Sequence, residues 1–123
     1  MSTVSTFFEE LNRLGYNPEM REVRGTVRFE IRDADRVEHW FLTIDDGRVW
    51  ATPGWREAQA VLKTDTSLAE EATRGRVNAL AAMLRSDIVV EGDLSLALKL
   101  GRLFPASADT QGPQRRTRPT AGR

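Results

Sequence analysis

Apolar residues recur along the first stretch of the chain at the spacing of one helix face. Val4, Phe7, Phe8, Leu11 and Leu14 follow the i, i+3, i+4, i+7 rule. Ser2 or Thr3 suits the cap at the start and Gly15 the left-handed residue past the end, before Asn17-Pro18 breaks the pattern. The spacing predicts an amphipathic helix packed on another layer. From Gly25 the period drops to two: Val27, Phe29 and Ile31 alternate with Arg28, Glu30 and Arg32, a strand with one wet face. After an Asp33-Ala-Asp35 turn, Trp40, Leu42 and Ile44 alternate again, and Asp45-Asp46-Gly47 makes an Asp-Gly hairpin into Val49 and Ala51. Short turns between these strands predict an antiparallel meander. Trp50 falls out of phase with Val49 and Ala51, which assigns it to the outer face of the sheet. Pro53-Gly54 closes the third strand, and Ala58, Ala60, Leu62 and Thr64 supply a fourth alternating set.

The second half reads as mostly helical. Ser67 and Glu70, spaced as a capping box, start a short helix that Gly75 interrupts. Val77, Leu80, Ala81 and Leu84 mark a second helix directly behind it, with Asn78 placed to hydrogen-bond across to a loop or strand. Ile88 and Val90 predict a last strand stopped by Gly92, and Asp93 caps a closing helix running to about Phe104. In that helix only Ser95, Lys99 and Arg102 cluster, within an arc of ~60° at about 100° per residue. Leu94, Leu96, Ala97, Leu98, Leu100, Gly101, Leu103 and Phe104 take up the rest of the girth. A surface helix needs an apolar stripe only a little over ~100° wide. Either this helix is buried between layers, or its second apolar face looks into a cavity filled by something other than protein.

Composition narrows the chemistry. With 123 residues and 40% hydrophobics the chain can bury one core, and reads as one domain over 1–104. Eighteen Lys and Arg balance eighteen Asp and Glu, which argues against a specific nucleic-acid partner. The balance hides an asymmetry: four arginines against Asp109 give the stretch 105–123 a charge of +3, and its apolar residues are all alanines. That stretch is expected to be a disordered basic tail, a weak tether at most to an acidic surface. The absence of cysteine excludes disulfides, thiolate metal sites and a cysteine nucleophile, and His39 is the one histidine. His39 reads as a strand-end surface residue, and Asp33, Asp35, Asp45 and Asp46 as turn chemistry rather than acid–base pairs. No glycine-rich phosphate loop appears. No apolar run approaches the ~20 residues of a membrane span, and the first residues lack the pattern of a secretory signal. A soluble cytoplasmic domain without a cofactor is expected.

In this order of elements, particular stretches resemble the sterol carrier protein family, type two. Gly25-Thr-Val-Arg-Phe-Glu-Ile31 is similar to that family's first strand, and Trp40-Phe-Leu-Thr-Ile-Asp-Asp-Gly47 to its second strand and turn. Arg74-Gly-Arg-Val-Asn-Ala-Leu-Ala-Ala-Met-Leu84 resembles its central helix. Ile88-Val-Val-Glu-Gly-Asp93, with the leucine helix to Leu103-Phe104-Pro105, resembles its closing strand and helix. The resemblance runs over roughly residues 4–105. It implies an α+β fold: a five-stranded, mostly antiparallel sheet, helices packed on one face, and an apolar tunnel between the layers. It also implies a carrier of fatty acids, acyl-CoA esters, sterols or similar lipids. Separately, the richness in Arg, Asp, Glu, Ala and Gly points to a bacterial source. The chain ends Ala121-Gly122-Arg123 rather than in the peroxisomal tripeptide of eukaryotic relatives.

Phe29, Ile31, Leu42 and Leu62 of the sheet are the expected ligand contacts. Leu80, Met83 and Leu84 of the central helix, and Leu94, Leu98, Leu100 and Phe104 of the closing helix, complete the wall. Trp55 is expected at the lip, where an indole suits a boundary between apolar and wet. Phe7 and Phe8 read as plain core. The partner is then a lipid or another hydrophobic small molecule, with transient contact at a membrane surface and a homodimer as further expectations. Two other readings stay open: a small enzyme that orients a hydrophobic intermediate in the same pocket, and an interaction domain whose cavity is filled by its own side chains.

Overall fold

The protein's computed structural model describes residues 3–105. The expected tail lies, except for Pro105, outside the described residues, as does Ser2. Helix α1 (Thr3–Leu14) buries Val4, Phe8 and Leu11 along the predicted stripe and ends at Gly15. A 3-10 turn, Pro18–Met20, capped by Asn17, sinks Met20 into the core. Strands β1 (Arg24–Asp33), β2 (Arg36–Asp45) and β3 (Arg48–Pro53) form the meander, and β4 (Ala60–Asp65) follows. Helices α2 (Thr66–Thr73) and α3 (Ala79–Leu84), strand β5 (Val89–Gly92), helix α4 (Leu94–Lys99) and a closing 3-10 turn (Leu100–Leu103) complete the order.

The five strands lie in the order β3-β2-β1-β4-β5, with β1 and β4 parallel and the other pairs antiparallel. The period-two residues do what their spacing requires. Val27 pairs with Leu42 and Ala60, and Phe29 with Trp40 and Leu62, all buried on one face. Phe8 of α1 stacks on Trp40 at 4.7 Å and meets Phe29 edge-on at 5.0 Å, which locks the helix to the sheet. Such aromatic pairs add roughly 0.5–1.5 kcal/mol beyond the area they bury.

Three local expectations are corrected. Helix α2 is capped by Asp65 rather than Ser67: the last residue of β4 is extended, and its carboxylate accepts the Leu68 N–H at 2.8 Å. Strand and helix therefore share a boundary, with no separate capping turn between them. Val77 lies outside α3, because Asn78 is the cap that starts this helix, its side-chain oxygen accepting the Ala81 N–H at 2.9 Å. The closing helix stays α-helical only to Lys99 and then tightens into the 3-10 turn, where Gly101 backs onto Leu80.

Asp93 behaves as predicted, its carboxylate accepting the Leu96 N–H at 3.0 Å. Asp93→Ala removes that cap and is expected to cost about 1 kcal/mol, read as a lower midpoint in urea unfolding with an unchanged slope.

The parallel β1–β4 pair dictates the course of one loop. Chain leaving β3 must pass three strand spacings to reach β4, about 14 Å at 4.7–4.9 Å each. Residues 54–59 make that crossing over the sheet face opposite the helices. There Arg28 donates to the Arg56 carbonyl at 2.8 Å, and Arg56 lies 5.4 Å from the Phe41 ring. This short strap is what buries Phe41 and helps shield Arg28 on a face the alternation predicts to be wet.

Candidate ligand-binding site

The closing segment resolves its surplus of leucines by facing two ways. Leu96, Ala97, Leu100 and Leu103 point into the core. Leu94, Leu98 and Phe104 instead border an open cleft of about 930 Å³, with Leu80 and Leu84 of α3 on the other wall. Leu84 is 69% exposed, Leu94 55% and Leu80 41%. Apolar side chains left in water this way make covering them favourable, at roughly 25 cal/mol per Å². Glu19, Asn78, Ser95, Lys99 and Arg102 supply the polar edge. Among the described residues no carboxylate forms a salt bridge with Lys99 or Arg102. The cleft is thus an apolar trough with two cations beside it.

Between sheet and helices, the expected tunnel is closed down to a void of about 30 Å³. Phe8, Phe29, Ile31, Leu62 and Met83 line it, with Thr64 at the end of the β4 alternation. Phe104 and Ala79 border both spaces, so the Phe104 ring and the start of α3 form the partition between them. Phe7 holds that ring in a stack at 4.9 Å.

The twelve expected contacts divide accordingly. Leu80, Leu84, Leu94, Leu98 and Phe104 meet at the cleft, while Phe29, Ile31, Leu62 and Met83 meet with Phe104 around the void. Leu42 and Leu100 are fully buried and border neither space, because both lie deeper in the packed core. Trp55 is not a lip. It rides on the strap across the opposite sheet face, its ring 4.5 Å from the Arg28 guanidinium, because the β3–β4 crossing carries it there.

Sequence reasoning missed Thr64, Lys99 and Arg102 as site residues. Thr64 shares the parity of Ala60 and Leu62, so a polar type at an inward position was the available signal. Phe8 also borders the void and Phe7 steadies the partition, roles beyond plain core. His39 sits in the middle of the outer face rather than at a strand end, half-buried with Nε2 3.8 Å from the Glu30 carboxylate, which Arg28 also binds at 2.9 Å. Asp46 remains turn chemistry, accepting the Glu22 N–H at 2.8 Å. Among the described residues no helix is long and apolar enough to cross a membrane.

Comparison with known proteins agrees with this fold. The profile described as the SCP-2 sterol transfer family matches residues 8–105. No curated protein matches the sequence. Several solved structures share the fold. Palmitated SCP2L2 from Aedes aegypti is 20% identical, with a TM-score of 0.66 over 84% of this chain and 94% of that one. The sterol carrier protein domain 2 of Helicoverpa armigera is 20% identical, with a TM-score of 0.66 over 93% of this chain and 91% of that one. Sterol carrier protein-2 of Aedes aegypti, solved in complex with the C16 fatty acid palmitate, is 18% identical, with a TM-score of 0.64 over 83% of this chain and 94% of that one.

Proposed function

The chain belongs to the SCP-2 sterol transfer family, and on that premise we propose that it binds a hydrophobic ligand without covalent chemistry and carries it. Fatty acids, acyl-CoA esters, sterols and similar lipids are the class. The second apolar face of the closing segment is the supporting observation: Leu94, Leu98 and Phe104 oppose Leu80 and Leu84 across an open cleft. An acyl chain laid in that trough covers the leucines, and an acidic end is left near Lys99 and Arg102. Palmitate is the ligand named for two structures of the same fold, which favours an acyl chain over a polycycle. Carrying also requires release, so transient contact with a membrane surface belongs to this proposal.

Titration of a fluorescent fatty acid tests it. Saturable binding near micromolar levels or tighter, reversed by palmitate, is the expected result. No saturable binding across fatty acids, acyl-CoA esters and sterols would overturn the reading.

Lys99→Gln combined with Arg102→Gln gives a narrower test. Exposed ion pairs contribute roughly 0–1 kcal/mol each. Palmitate is therefore expected to weaken only a few-fold, hexadecanol not at all, and the difference to fade as salt shortens the Debye length. Equilibrium titrations at low and high salt read it.

A further inference from the structure

The void behind Phe104 contains one chemically unexplained atom. Among the described residues, Thr64 Oγ1 is buried without a hydrogen-bond partner. The other hydroxyl on the lining, that of Thr73, already donates to the Glu70 carbonyl at 3.0 Å. The remaining lining side chains among the described residues are apolar. Buried hydroxyls in folded proteins are nearly always partnered, because leaving one bare forfeits the bonds it made in water. Valine has almost the same shape and suits a strand equally well, so packing alone gives no reason for the hydroxyl.

A resident water is a poor answer. The void, at about 30 Å³, has room for a water, yet a buried water needs about two to four polar partners. Among the described residues this lining offers the Thr64 hydroxyl and, as an acceptor only, the Thr73 oxygen, the bottom of that range. What satisfies both the apolar walls and the lone hydroxyl is the tip of an apolar molecule that ends in an oxygen.

Resting on the carrier reading above, we infer that Thr64 selects ligands whose leading end bears a hydroxyl or carbonyl oxygen. The body of such a ligand lies in the cleft along Leu80, Leu84, Leu94 and Leu98. Its leading end passes between the Phe104 ring and Ala79, the two residues that border both cleft and void, and the terminal oxygen meets Thr64 Oγ1. An unsubstituted acyl chain reaches the same place but leaves the hydroxyl bare. The preferred cargo is then an oxygenated lipid, such as an acyl chain oxidised at its far end.

Palmitate and 16-hydroxyhexadecanoate, titrated into the wild type, Thr64→Val and Thr64→Ser, form a test that cancels the ligands' own solvation. The ratio of their dissociation constants is expected to shift against the hydroxylated acid by about tenfold in Thr64→Val, the effect of one buried hydrogen bond. Thr64→Ser is expected to restore the wild-type ratio. Thermal unfolding without ligand should show Thr64→Val no less stable than wild type, which removes misfolding as an explanation. A ratio unchanged in Thr64→Val overturns the inference while leaving the carrier reading intact. Failure of the wild type to bind either acid overturns both.

Discussion

Gly92→Ala is expected to lower the melting temperature by more than about 10 °C. Gly92 ends β5 with φ at +84°, a conformation that strains any residue with a Cβ by about 1–3 kcal/mol. Strain is only part of the effect. A Cβ at this position would press into the carbonyl oxygen of Gln59, well inside van der Waals contact, and would crowd the Ala60 Cα at 3.3 Å. Both are backbone atoms of the neighbouring chain segment, so no side chain can swing away. The same Gln59 carbonyl accepts the Asp93 N–H at 2.8 Å, the bond that sets the start of α4. Relief of the clash therefore displaces the closing helix. The combined cost is about 3–5 kcal/mol, and at several degrees per kcal/mol for a domain of this size the shift follows. Gly54→Ala is the control: φ there is +120°, but none of the described residues lies within 4 Å of the added carbon, so strain alone acts. Calorimetry that ranks the two variants equally would show that the approach to Gln59 is not tight in solution.

Leu84→Asp combined with Leu94→Asp is expected to weaken fatty-acid binding at least about 100-fold at nearly unchanged stability. The two side chains are 69% and 55% exposed, so their removal opens no core cavity, and surface substitutions of this kind stay within about 0.5 kcal/mol of wild type. In the occupied cleft the same leucines are covered by ligand. Fully burying a leucine contributes about 1.5–3 kcal/mol, and each aspartate places an ion against an acyl chain, where desolvation has no compensation. Each site thus accounts for about tenfold or more. Titration of a fluorescent fatty acid beside a thermal melt separates the two effects. Retained affinity would move the ligand away from this cleft, whereas a collapsed melt would mean that these leucines hold the fold.

The contrast between these variants also shows how the fold could be read from the chain. Alternation in Val27-Phe29-Ile31 and Trp40-Leu42-Ile44 specified the strands and their inner face, because a period of two has one physical solution. The Asp-Gly turn and the Asp93 cap were legible for the same reason, as local chemistry with one use. Boundaries were less so. Asp65 serves as both last strand residue and helix cap, and Ser67 offered an equally good local motif two residues later. Trp55 went astray because its position follows from the parallel β1–β4 pairing, a contact between distant segments that no local pattern encodes.

The division is physical. Periodicity, caps and turns depend on neighbours within a turn or a strand, so the chain alone specified an α+β domain and a closing segment with more apolar surface than a surface helix needs. Where that surplus goes depends on which elements meet. Only the packed molecule turns Leu94 and Leu98 toward Leu80 and Leu84 to open a trough, and sets Phe104 with Ala79 between that trough and the narrower space under the sheet. Only there does Thr64, a routine member of an alternating set, become a buried hydroxyl without a partner among the described residues. Spaces between elements belong to no single segment, and their shape is decided last.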